Sequence, residues 1–334
     1  MNLATNDSAV TVQGGLLDLN WDRAPSVMES IGTVRLSPEE CGLDYWYRDV
    51  ASVAATLQNG HRREVVIPQL MLEPGGFREA LLREFSFRAL AEEKAARAIC
   101  QLVTTAPNCI EMNFYATQLV DEARHADAFK AHIGELVGAN NVDKTVETYS
   151  RDGRANILDP LEAYALDLVQ GDYAYLIGVA VLTILVEGVL APTGELSERK
   201  WARVDPAAAS VERGASIDEV RHLAVGSEII KQAALKSPTA GATIAEVVAK
   251  GFEYWANLPV LNEMQLREEF FQEGLDSAGQ QVITALEDYE CWPGTLLLQT
   301  TADVRIAKAL EWSAHAQQVR LDYMGVIGDA IQLA

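Results

Sequence analysis

Residues 120–129 read VDEARHADAF, and residues 217–226 read IDEVRHLAVG. Both carry an apolar residue followed by Asp-Glu-x-Arg-His. Glu122 and His125 stand three apart, as do Glu219 and His222, so on a helix each pair occupies one face. A Glu-x-x-His on each of two helices, joined by one Glu from each of two others, is how a four-helix bundle holds two metal ions. The repeat therefore asks for two further glutamates, at matched distances upstream.

The second half supplies one directly. Residues 174–192, AYLIGVAVLTILVEGVLAP, are the most apolar part of the chain, and Glu187 sits among them, 32 residues before Glu219. A lone buried carboxylate is costly unless it is paired, protonated or bound to a metal. The run is too short and too interrupted for a membrane span of about 20 apolar residues. In the first half, Glu92 and Glu93 lie side by side at the corresponding distance. Helical phase separates them. Phe85, Ala89, Glu92, Ala96, Ile99 and Val103 make a small or apolar stripe; Ser86, Leu90, Glu93, Arg97, Cys100 and Thr104 make a mixed one. Glu92 is the expected ligand, 30 residues before Glu122.

Four carboxylates and two neutral imidazoles balance two divalent cations. Such a donor set suits iron or manganese better than the zinc or copper of thiolate-rich sites. Asp121 and Asp218 each precede a histidine by four residues, so each is expected to fix the histidine of its own helix. Arg124 and Arg221 are expected to neutralise those aspartates.

Composition narrows the class. A hydrophobic fraction of 49% with 22% charged residues describes a globular chain. The net charge of −21 argues against a nucleic-acid partner, which needs a basic surface. Cys41, Cys100, Cys109 and Cys291 show no CxxC spacing and read as free thiols. The first residues lack a basic stretch followed by an apolar core, so a cytoplasmic protein without membrane attachment is expected.

Nearly all of the chain has helical periodicity, which predicts an all-α fold in a single domain over 1–334, with a four-helix core at about 78–235. Ser37 and Glu40 have capping-box spacing. The polar stretch 139–160 reads as a long crossover, 193–209 as irregular, and 61–68 as a weak strand candidate.

Over roughly residues 80–235 the sequence resembles the ferritin-like di-iron carboxylate superfamily, in its ribonucleotide-reductase-like branch. That branch includes bacterial multicomponent hydroxylases, reductase small subunits, acyl-carrier desaturases and arylamine N-oxygenases. The paired DEARH and DEVRH are most similar to the hydroxylases. The resemblance implies a ferritin-like four-helix bundle with additional N- and C-terminal helices. It implies two iron ions, with manganese as the alternative metal at one site, held by Glu92, Glu122, His125, Glu187, Glu219 and His222. It further implies an O2-activating monooxygenase or oxidase that hydroxylates or N-oxygenates a small or carrier-bound substrate. Electrons would come from a ferredoxin or reductase, since no flavin or nicotinamide fingerprint is present, and a homodimer is expected. Acyl-carrier desaturation is the alternative, and iron storage or a radical scaffold the non-catalytic one.

Three positions depart from family patterns. Phe129 stands where a radical-generating subunit carries tyrosine, Ala191 where hydroxylases carry threonine, and Ala215 where N-oxygenases add a histidine. Thr183, the nearest hydroxyl on the Glu187 helix, reads as bonded to its own helix backbone. Tyr115, Gln118 and Phe129 share the ligand face of the first motif helix, and Ala215 and Gly226 that of the second. Substrate room is expected near Gly226 and Ala215, against the Glu187 helix, while Gly226 equally suits close packing of the two helices. His132 is expected to be a satisfied core histidine, and Glu212 to be solvated.

Overall fold

The computed structural model describes residues 24–56 and 66–326, and helix dominates them. The fold is all-α. Helices α1 (Gly76–Thr105) and α2 (Cys109–Val137) form a hairpin joined by a three-residue turn. Asn108 caps α2 by accepting from the N–H groups of Ile110 and Glu111, and Gly138, at φ 86°, ends it. The expected crossover is itself helical: α3 (Val142–Gly153) and α4 (Asp159–Leu168) flank a π turn at Arg154–Leu158. A second hairpin follows, α5 (Ala174–Trp201) and α6 (Pro206–Lys236). Asp205 caps α6 through the N–H groups of Ala207 and Ala208, with Pro206 in the first turn. The hairpins pack together, α6 against α2 and α5 against α1.

Beyond the two hairpins the chain continues into α7 (Pro238–Ala256), α8 (Val260–Asp276) and α9 (Gln280–Leu286). The break at CWPG is a small antiparallel hairpin, β1 (Glu290–Trp292) with β2 (Thr295–Leu296), turning at Gly294. Helix α10 (Ala302–Met324) then packs on α5, α6 and α8. The Ser37–Glu40 capping box forms, although regular helix begins only at Leu43. The strand candidate 61–68 falls mostly outside the described residues, and its last three are not strand. Among the described residues, none of the four cysteines forms a disulfide.

The region expected to be irregular, 193–209, is helical except for 202–205. Helix α5 continues through Pro192 because Ala191, Gly194, Leu196, Ser197 and Trp201 are buried, and packing outweighs the local break. The buried charge of Lys200 is matched by Glu84 at 3.0 Å and Glu268 at 2.7 Å. This continuity also makes α5 longer than its sequence suggests. By length and composition it is the one helix among the described residues able to cross a membrane, but 72% of its most apolar window is buried inside the fold.

Within α5, residues Val181–Glu187 form a π-helical turn. Each residue inserted by such a widening rotates the following side chains by about 100° relative to a regular helix. Helix α10 supports the distortion. Gln317 donates to the carbonyl of Ile184 at 2.9 Å, and Ser313 to that of Val189 at 3.2 Å. Along α1, α2 and α6, two separate apolar clusters flank a polar stretch: one contains Ile99, Phe114 and Leu223, the other Phe85, Phe129 and Val211.

Gly226 belongs to the packing between α5 and α6. A Cβ there would collide with the Thr183 hydroxyl and lie 3.2 Å from Thr183 Cβ and Cγ2. We expect Gly226→Ala to cost about 1–3 kcal/mol through overpacking, with most of the loss regained when Thr183→Ala is added. Thermal unfolding of the metal-free variants measures this. An undiminished melting temperature in the single variant would contradict the close approach.

Candidate metal centre

The polar stretches of α1, α2, α5 and α6 meet between the two apolar clusters. Glu92 comes from α1, Glu122 and His125 from α2, Glu187 from the end of the π turn, and Glu219 and His222 from α6. Their donor atoms form two overlapping groups, Glu92–Glu122–His125–Glu219 and Glu122–Glu187–His222, each with all atoms within 4.8 Å of one another. Glu122 belongs to both. Its Oε2 lies 3.3 Å from His125 Nδ1, and its Oε1 lies 3.2 Å from His222 Nδ1. Glu93, by contrast, lies at the surface and pairs with Arg97 at 2.8 Å and Lys130 at 3.0 Å.

Both histidines turn Nδ1 toward the glutamates and Nε2 away from them. The partner of Nε2 is not the aspartate of the same helix. His125 Nε2 lies 3.0 Å from Asp218, and His222 Nε2 lies 3.5 Å from Asp121. The expected same-helix pairing is therefore replaced by a crossed one. With Nδ1, the ring nitrogen nearer the backbone, facing the glutamates, Nε2 reaches across to the neighbouring helix. The arginines tie the crossing together. Arg221 contacts Asp121 at 2.7 Å and Asp218 at 2.9 Å, while Arg124 contacts Asp218 closely and Asp121 at 3.6 Å. Trp46, from the N-terminal segment, donates its indole N–H to Asp121 at 2.9 Å; no spacing in the sequence pointed to it.

The electrostatics are those of a site short of positive charge. The two aspartates and two arginines cancel each other, and Arg88 is engaged by Glu212 at 2.8 Å. Burial and the neighbouring Glu122 push Glu92 upward; burial and Glu187 do the same to Glu219. Burial lifts Glu187 to about 8. It would lift Glu122 too, but contact with both imidazoles outweighs it and holds that carboxyl well below its ordinary range. Burial would depress the histidines; contact with Asp218 and Glu122 instead carries His125 up to about 9, and Asp121 and Glu122 hold His222 well above its usual value. Without metal the cluster thus gathers protons, which a cation would have to displace.

The residues fit a metal. Among the described residues, Glu187 Oε2 and Glu219 Oε2 are buried with no hydrogen-bond partner, and the ring nitrogens of His222 meet Glu122 and Asp121 without well-aligned hydrogen bonds, a cost that native folds avoid unless something else satisfies those atoms. The donors are carboxylates and imidazoles, with no thiolate among them. This buried acidic and histidine cluster could therefore hold metal.

A cavity of about 20 Å³ touches Glu92, Glu122, Glu187 and Glu219, enough for one water-sized molecule. Phe129, Ala191 and Ala215 all line it, so these three positions shape one space. The room expected beside Gly226 is instead filled by Thr183. Gln118 donates to Glu187 and reaches Glu122 at 3.4 Å. Tyr115 packs edge-on against Phe114 and Tyr175. His132 sits in the interior between Asp205 at 3.3 Å and Glu135 at 3.2 Å. Glu212, expected in solvent, is buried: Ser197 donates to it at 2.7 Å opposite Arg88.

Comparison of the chain with protein-family models finds no match, and comparison with curated proteins finds none either.

The crossed pairing has a measurable signature. Asp218→Asn should weaken metal binding about 10–100-fold, and in a double-mutant cycle it should couple strongly to His125→Ala and weakly to His222→Ala. Competition against a chromophoric chelator gives the affinities. Stronger coupling to His222 would restore the same-helix pairing.

Proposed function

We propose that the chain is a ferritin-like di-iron carboxylate protein that activates O2 as a monooxygenase or oxidase. The observation that carries this reading is the convergence of four glutamates and two histidines from four helices on one buried volume, with Glu122 common to both donor groups. Glu92, Glu122, His125 and Glu219 would hold one ion, and Glu122, Glu187 and His222 the other. Bound there, the metals would supply the redox chemistry that cleaves O2.

The protein's own part is placement. Gln118 orients Glu187 through its amide. Asp218 and Asp121 hold the imidazoles with Nδ1 inward. The small cavity against four carboxylates offers a place for a diatomic molecule, and the apolar clusters on either side keep water scarce. Hydroxylation balances as RH + O2 + 2e⁻ + 2H⁺ → ROH + H2O, and the two electrons come from an external ferredoxin or reductase.

The test is anaerobic loading with ferrous iron, desalting, and mixing with O2 in an oxygen electrode. We expect about two irons retained per chain and a single burst of oxygen uptake that resumes only when a reductant is added. Failure to retain iron, or continued uptake with iron accumulating as a mineral, would overturn the proposal. Uptake that converts an acyl thioester to an alkene without incorporating oxygen would replace it with desaturation.

A further inference from the structure

A second and much larger cavity, about 270 Å³, lies beyond one wall of the small one. It runs between α1, α4 and α5, with Trp255 of α7 beside it. Ala95, Val186 and Leu190 line both cavities and so form the partition between them. The π turn places its residues on both sides of this wall: Glu187 faces the carboxylate cluster, while Val181 and Leu182 line the large cavity. At the other end Ala98, Gln101 and Leu166 are exposed, Leu166 by 51%, so the cavity opens to solvent there.

The interior is almost wholly hydrocarbon, from residues such as Leu102, Leu158 and Leu161. Charge is confined to Lys94, Arg97 and Glu162, and each cation is already taken. Lys94 binds Asp159 at 2.8 Å and also Glu162; Arg97 binds Glu93 at 2.8 Å. Asp159, Glu162 and Glu93 take up these two cations, and Asp159 and Glu93 also engage Arg154 at 3.4 Å and Lys130 at 3.0 Å, so every cation around this rim is committed. An anionic head group finds no uncommitted partner there. A cavity of roughly 150 Å³ lined by aliphatic and aromatic side chains holds one benzene, so this one suits roughly ten to twelve carbon and other heavy atoms.

We propose that this cavity binds an uncharged, hydrocarbon-rich molecule of that size, its inner end against Ala95, Val186 and Leu190 and its outer end at the Leu166 mouth. That the molecule is then oxidised rests on the function proposed above; that it binds does not.

Titration calorimetry of the full chain, metal-free and iron-loaded, with 1-nonanol and nonanoate tests it. We expect one nonanol per chain, bound at least about tenfold more tightly than nonanoate, since removing an unpaired charge from water is costly. Ala165→Trp, which fills the cavity from α4 without touching the carboxylate cluster, should weaken nonanol about tenfold or more while leaving iron content and melting temperature in place. Asp159→Asn with Glu162→Gln frees Lys94 and should raise nonanoate affinity severalfold. Absence of nonanol binding, equal binding of nonanoate, or an undisturbed affinity in Ala165→Trp would overturn the assignment. Nonanol binding to protein that fails to retain iron would uphold the cavity while sinking the oxygenase reading.

Discussion

Four glutamates converge on one buried volume in which the chain provides two imidazoles as counter-charge. Two carboxylates about 4 Å apart repel by about 4 kcal/mol at an effective dielectric near 20, so four ionised ones cannot share this space unaided. The surrounding cations are already committed: Arg124 and Arg221 to the two aspartates, Arg88 to Glu212. Only protons or metal ions remain to balance the site. Protonating the acids would leave a cluster of mutually facing polar groups, some without partners; metal ions would satisfy them at once.

Other parts of the fold hold those side chains in place. The Asn108 and Asp205 caps fix where α2 and α6 begin, and with them the register of the two Glu-x-x-His motifs. The π turn sets the phase of Glu187, and α10 supplies Gln317 and Ser313 to the carbonyls around it. At the other end a buried network of Glu84, Lys200, Glu268 and Arg305 ties α1, α5, α8 and α10 together. Pairs of this kind add little net stability over apolar packing, but breaking one by removing a partner is costly. They act as register marks between helices.

The convergence of Glu92, Glu122, His125, Glu187, Glu219 and His222 was legible because helical spacing of three is a local rule and the motif occurs twice. The choice of Glu92 over Glu93 was legible for the same reason, since neighbouring residues differ by about 100° in phase. What could not be read were relations between helices. The Asp–His pairing looked local from its four-residue spacing, yet ring orientation decides it, and the orientation follows from the position of the opposing helix. Glu212 looked solvated because its partner, Arg88, lies 124 positions earlier. Gly226 offered either space or close packing, and the Thr183 side chain settles it as packing. Trp46 carried no signal, and neither did the large cavity, whose walls come from four helices.

The central claim is that this cluster is a site for two metals sharing Glu122. Anomalous diffraction at the iron edge, from crystals of iron-loaded protein, tests it most directly. The account expects two peaks about 3.5–4 Å apart, within reach of Glu92, Glu122, His125, Glu187, Glu219 and His222, with Glu122 between them. A single peak, or iron bound away from these six residues, would contradict it.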